Sequence, residues 1–290
     1  MTYALIEAPS RLGLESAGVE HLPQALLGNG LAQRLNARHA ARVEPLPAPG
    51  EIDPATQVLN APAIAQWSPR LADAITDVLA TGDFPVILGG DCSILLGSAL
   101  ALKRRGRYGL LFIDGNADFF QVEANPNGEV ASMDLALATG HGPALLTDLE
   151  GRSPLIRDQD VAVLGYRDHD DQATYGSQPL PEAMKVFDLA AMRRTGVAAA
   201  ARQAVAFAGR SELDGFFIHL DADVLSDAVM PAVDYRIADG LTPDELVTVL
   251  QTAVRSGRAV GLEVTIYNPA LDPDGQAGRL LTDVLVQCLA

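Results

Sequence analysis

Cysteine is scarce in this sequence: Cys92 and Cys288 are the only two among 290 residues. That is too few for a disulfide framework, and it rules out a structural zinc site made of paired C-x-x-C motifs. A reducing compartment, the cytoplasm, is the expectation. Positive charge is short as well, with 21 Lys and Arg against 37 Asp and Glu and a net charge of −16. A phosphate backbone asks for a basic face, so nucleic acid is not an expected partner. No apolar run approaches the roughly 18 residues of a membrane span, and the opening "MTYALIEAPSRLGLES" has no basic segment leading into a long apolar one. The chain therefore reads as soluble, without a membrane partner. The pair Gly89-Gly90 has neither G-x-x-x-x-G-K-[ST] nor G-x-G-x-x-G spacing, so it reads as close backbone packing at a strand-to-helix turn, and no nucleotide cofactor is expected.

Hydrophobic residues, at 48%, are sufficient for a large core. Short apolar runs recur as "YALIEA" (3–8), "FPVILGG" (84–90), "YGLLFIDG" (108–115), "VAVLGYR" (161–167), "MKVFDL" (184–189), "GFFIHLDAD" (215–223) and "RAVGLEVTIY" (258–267). Helix-like stretches lie between them at 69–81, 93–105, 194–208 and 243–256, the last opened by Thr242-Pro243-Asp244-Glu245 as a cap. This rhythm predicts a three-layer α/β/α fold with a mainly parallel sheet and helices on both faces. No repeat or linker divides the chain. The stretches 45–65 and 121–131 read as surface excursions, and Cys288 as a core residue of an apolar C-terminal helix.

Ligands of open α/β sheets bind beyond the carboxyl ends of the strands. Three strand ends here carry polar residues: Asp91-Cys92-Ser93, Asp114-x-Asn116-x-Asp118 and His219-x-Asp221-x-Asp223. Strand alternation turns every second side chain to one side. Asp114, Asp118, Asp221 and Asp223 would then meet at one sheet edge, where mutual repulsion raises carboxylate pKa values unless a divalent cation relieves it. Oxygen-rich ligation suits manganese or magnesium, and bridging carboxylates suit a metal pair about 3.5–4 Å apart that activates water.

"GGDCS" (89–93), "DGNAD" (114–118) and "DAD" (221–223) resemble the three metal motifs of the ureohydrolases, the arginase and agmatinase family: G-G-D-H-S, D-A-H-x-D and D-x-D. "GVEHLPQALLGNGLAQRL" (18–35), "LGYRDHD" (164–170) and "GLEVTIYNP" (261–269) resemble further family segments, so the likeness spans the chain. The resemblance implies one arginase-like α/β domain over 1–290 with about eight strands, assembled as a homo-oligomer, a trimer or hexamer. It implies metal ligands at Cys92, Asp114, Asn116, Asp118, Asp221 and Asp223, manganese as the expected ion in one or two copies, and a small-molecule substrate. Asp170 falls at the acid that contacts the substrate's amino group, although a solvated turn acid is the other reading of that charge run.

Cys92 and Asn116 stand where the family has histidine, Ala131 where it has a proton-shuttling histidine, and Ile266 where it has the glutamate that grips the guanidinium. Cys92 reads as a metal ligand, as a small buried hydrophobe or, third, as a nucleophile; the thiolate of a ligand could bind manganese or zinc. His219 shares a strand face with Asp221 and Asp223 and reads as a replacement ligand or general base, or as a strand histidine paired with the backbone. The expected activity is metal-dependent hydrolysis of a linear, non-peptide C–N bond of the amidino, guanidino or related amide kind in an amino-acid-like molecule, with Asp118 orienting the attacking water. Ordinary hydrolysis of arginine or agmatine does not follow. A catalytically inactive protein with a binding or regulatory role is the alternative.

Overall fold

The computed structural model describes residues 2–290. Eight strands form one sheet: β1 Tyr3–Glu7, β2 Arg38–Arg42, β3 Phe84–Leu88, β4 Gly109–Ile113, β5 Val161–Leu164, β6 Lys185–Phe187, β7 Phe216–Asp221 and β8 Ala259–Thr265. Their order is β2-β1-β3-β8-β7-β4-β5-β6, and every pair is parallel. A parallel sheet needs helical crossovers and is covered on both faces, which is why its strands read as continuous apolar runs. In β4, Leu111 and Ile113 enter one core while Leu110 and Phe112 enter the other. Helices Val197–Ala208, Pro243–Arg255 and Gln276–Leu289 cover the first face, and Ala61–Ala80, Ile94–Arg105 and Asp134–Ala138 cover the second. Among the described residues, no helix is long and apolar enough to cross a membrane.

The seven apolar runs all carry strands, and the fold class is the expected one. β2 was not expected. Its sequence "RHAAR" is polar and half-exposed because it forms a sheet edge, where charged side chains guard unpaired backbone. The stretch 45–65 ends in helix, since Ala61–Ala80 begins at a proline-bearing first turn and carries Pro69 inside. The expected helix 194–208 is two helices, Leu189–Thr195 and Val197–Ala208, parted by Gly196 at φ 84°. The capping box at Thr242 and Glu245 is present, with both reciprocal bonds made.

The turn after β3 is where the chain comes closest to itself. A Cβ on Gly90 would stand 1.6 Å from the Ser10 carbonyl oxygen, so only glycine fits. Asp91 locks this contact: its buried carboxylate accepts from Ser10 Oγ (2.9 Å), Gly13 N (3.2 Å) and Ser93 N (2.8 Å). Asp91→Ala would leave those donors unpaired and should cost about 3 kcal/mol of stability. Urea denaturation measures it; a midpoint equal to that of the unchanged protein would show that the turn does not need the carboxylate.

Candidate metal centre and pocket

The carboxyl ends of β3, β4, β7 and β8 lie side by side and bring the polar residues together. Cys92 follows β3, Asp114 directly follows β4, and Asp221 ends β7. The Cys92 thiol is fully buried, 2.9 Å from Asp221 Oδ2 and 3.3 Å from Thr265 Oγ1 at the end of β8. Asp221 Oδ1 accepts from Asp223 N (2.7 Å), and Asp114 Oδ1 from Asn116 N (2.7 Å). Asp118 has φ 46°, a left-handed conformation that non-glycine residues seldom adopt.

Sheet register builds a second tier beneath these residues. Across β8, β7 and β4, Glu263, His219 and Phe112 are direct neighbours. Phe112 and His219 stack with ring centres 4.6 Å apart at 6°. His219 Nδ1 is 2.7 Å from Glu263 Oε1, while Ser98, from the helix above, donates to Glu263 Oε2 at 2.5 Å. With Nδ1 held by a carboxylate, Nε2 faces the opposite way, 3.8 Å from Asp114 Oδ2 and 3.9 Å from Asp134 Oδ2. His219, Glu263, Ser98 and Asp134 are all fully buried.

Burial dominates the electrostatics. It pushes Asp114, Asp118 and Asp221 well above the usual carboxylate range, and the neighbouring acids push the same way. Asp134 is raised to about 7, chiefly by burial. Burial and then Asp221 hold the Cys92 thiol well above its ordinary value, which works against a free nucleophilic thiolate. For His219, burial alone would lower the pKa, but Asp114 and Glu263 more than offset it and leave it well raised. One imidazolium does not balance the five carboxyl groups of Asp114, Asp118, Asp134, Asp221 and Glu263.

Four buried atoms here lack a hydrogen-bond partner: Asp114 Oδ2, both Asp134 oxygens and His219 Nε2. Buried polar atoms without partners are rare in folded proteins, and acceptors converging with an imidazole are what a cation satisfies. Two groups have ligand atoms within 4.8 Å of one another: Cys92, Asp114, His219 and Asp221, and Cys92, Asp118 and Asp134. The residues therefore fit a divalent cation.

Asn116 and Asp223 sit differently. Asn116 Nδ2 donates to Asp223 Oδ2 (2.7 Å), whose Oδ1 accepts from Gly115 N (2.9 Å). Each is thus engaged with the other at the pocket edge. The pocket, about 250 Å³, has Asp118, Asp221 and Asp223 at its floor and Phe120, Tyr175 and Tyr235 on its walls. Ala131 and Ile266 also line it, and Ile266 has φ 68°, a strained value for a β-branched residue.

Asp170 is exposed in the first turn of helix His169–Tyr175; the acid of that turn on the pocket wall is its neighbour Asp171. The 121–131 stretch is an excursion that shapes the pocket: it holds the 3₁₀ turn Val122–Ala124 and the start of another, Val130–Ser132, and Ala124, Asn125, Pro126 and Asn127 wall the pocket. The 45–65 stretch contributes nothing to that wall.

Sequence reasoning passed over Asp134 and Glu263. Asp134 precedes the apolar run "LALA" and looks like an ordinary helix-start acid; Glu263 is a lone acid inside a buried strand, where an ionisable side chain is rare unless paired. The aromatic walls stand on loops and leave no periodic trace.

An all-parallel eight-stranded α/β fold with a buried acidic centre at its strand ends defines the class. All 290 residues match the Arginase family, and the chain belongs to that family. The arginase of Bacillus caldovelox is 27% identical over 282 residues, covering 93% of this chain and 91% of its own. The arginase of Bacillus subtilis (strain 168) is 27% identical over 294 residues, covering 99% and 97%. The native crystal structure of the B. caldovelox arginase matches with a TM-score of 0.88, at 24% identity, over 100% of this chain and 98% of that one.

Glu263→Ala would strand Ser98 Oγ and His219 Nδ1 in the core and should cost about 3–5 kcal/mol, with Glu263→Gln costing clearly less because it can still accept. Denaturant midpoints of the two variants check this, and an alanine variant as stable as the glutamine one would contradict the pairing.

Proposed function

We propose that this protein is a metal-dependent hydrolase of a linear C–N bond, amidino, guanidino or a related amide, in a small amino-acid-like molecule. The observation that carries the reading is the set of unpartnered buried atoms of Asp114, Asp134 and His219 directly beneath a small pocket whose floor includes Asp118 and Asp221. Cys92, Asp114, His219 and Asp221 would hold a divalent cation, which supplies charge compensation and makes a water more acidic. Asp118, which belongs to the second group of clustered ligand atoms and also lines the pocket, orients the attacking water and takes up its proton. His219 is fully buried and absent from the pocket wall, which favours a ligand role for it over a general base acting on substrate. The relatives named arginase support the bond class.

The substrate's head group differs from an unsubstituted guanidinium. At the position where the family grips that cation the pocket presents Ile266, an apolar wall that suits a neutral amide or a substituted amidine. Asp171, which lines the pocket with Tyr175, would receive an amino group at the outer end, the role the resemblance gives to its equally exposed neighbour Asp170. The working protein is read as one arginase-like domain over 1–290, a cytoplasmic homo-oligomer, trimer or hexamer.

The Asn116 to Asp223 hydrogen bond favours a second reading, an inactive binding or regulatory protein, because it occupies two of the resemblance's ligand positions. Ammonia and urea release from a panel of arginine, agmatine, guanidino acids and small amides separates the two. Turnover abolished by chelator supports the enzyme, and Asp118→Asn should then slow it about 10²–10⁴-fold. No turnover across the panel with metal bound supports the inactive reading. Ile266→Glu should strengthen arginine binding by roughly 2–4 kcal/mol, read by calorimetry; unchanged affinity would mean the guanidinium does not reach this wall.

A further inference from the structure

The resemblance implies manganese, a hard ion that prefers carboxylate, carbonyl and water oxygens. This chain offers something else. We propose that its centre is a thiolate-imidazole-carboxylate site selective for zinc over manganese, formed by Cys92 Sγ, His219 Nε2, Asp114 and Asp221.

These four donors are one sulfur, one nitrogen and two oxygens, all from fully or almost fully buried residues and all within 4.8 Å of one another. Zinc bonds of about 2.0–2.3 Å in a tetrahedron place ligand atoms roughly 3.3–3.8 Å apart. His219 Nε2 and Asp114 Oδ2, at 3.8 Å, stand at the upper end of that range, Cys92 Sγ and Asp221 Oδ2, at 2.9 Å, stand just below it, and no pair exceeds 4.8 Å, so side-chain rotations can close the site. A sulfur and an imidazole in one small site favour zinc, and manganese stands lowest in the general order of divalent affinity.

The second tier is what a histidine ligand requires. Glu263 holds Nδ1, Ser98 holds Glu263, and Phe112 packs flat against the ring. That arrangement fixes the tautomer and points the free nitrogen into the cluster, where it has no partner. On the pocket side, the Asn116 to Asp223 bond withdraws two positions that the resemblance would give to metal. The donor set has moved inward, towards the sheet. Binding displaces two protons into solvent, that of the Cys92 thiol, now directed at Asp221, and that on Nε2 of the His219 imidazolium.

The inference rests on the hydrolase reading only for the chemistry the ion would serve, and its test uses no substrate. Protein stripped with chelator is offered equimolar zinc and manganese, dialysed and measured by mass spectrometry. It is also loaded with cobalt(II) as a spectroscopic stand-in for zinc. Zinc retained in preference to manganese, and a sulfur-to-cobalt charge-transfer band in the near ultraviolet that disappears in Cys92→Ser, are expected. Glu263→Gln should weaken zinc binding about 10–100-fold through loss of ring orientation. Manganese retained in preference, bound cobalt without the band, or no retained metal overturns the proposal. Should Cys92→Ser fail to fold, the cobalt spectrum of the unaltered protein decides. Zinc bound without turnover keeps this inference and ends the hydrolase reading; turnover supported by manganese with no zinc preference does the reverse.

Discussion

Everything around the strand ends answers to one constraint: five buried carboxyl groups and a thiol are crowded together at the inner end of a small pocket. Charge in such a place is costly, and repulsion between like charges compounds the cost. The chain provides a single internal counter-charge, His219, and directs it between Asp114 and Asp134. The remaining acids are either protonated or compensated by a cation. A site that is unfavourable by itself is commonly retained for what it does, and here the cluster opens onto a pocket.

The sheet makes this arrangement through register and not through local sequence. Parallel pairing sets Glu263 beside His219 and His219 beside Phe112, three strands that are far apart in the chain. Sliding β8 by one residue would turn Glu263 to the other face and leave the imidazole without an acceptor. The turn after β3 is fixed with comparable strictness, because Gly90 touches Ser10 and accepts the Ile266 amide. Ile266 is thereby held at positive φ, and the same contact ties the apolar pocket wall to the cysteine-bearing loop.

Much of this was legible in advance because parallel strands at the centre of a sheet must be apolar throughout. "LLFI" and "GFFI" could be read as strands, and Asp114 and Asp221 could be read as strand-end residues on the functional edge. His219 stood out because an ionisable side chain inside such a run is expensive. Glu263 satisfies the same criterion and was missed, since its meaning depends on which strand lies next to it. Asp134 could not be told from a helix-start acid, whose usual place is solvent. β2 was lost because edge strands lack the apolar pattern, and of the neighbouring exposed acids Asp170 and Asp171 it is Asp171 that lines the pocket, a difference that helix geometry and not the motif decides.

The departures from the ureohydrolase pattern make physical sense as one change. An imidazole lost from the pocket edge at Asn116 leaves Asp223 needing a donor, and the asparagine amide supplies it. In the proposed site, a cation with fewer ligands at that edge takes His219 from the opposite side, braced by a glutamate that Ser98 holds in turn. Cysteine at position 92 then completes a compact set, since sulfur's longer bonds let a short side chain reach an ion lying nearer the sheet. Any one of these residues alone would weaken a metal site. Together they describe a site displaced inward, with the pocket edge released to apolar and amide contacts.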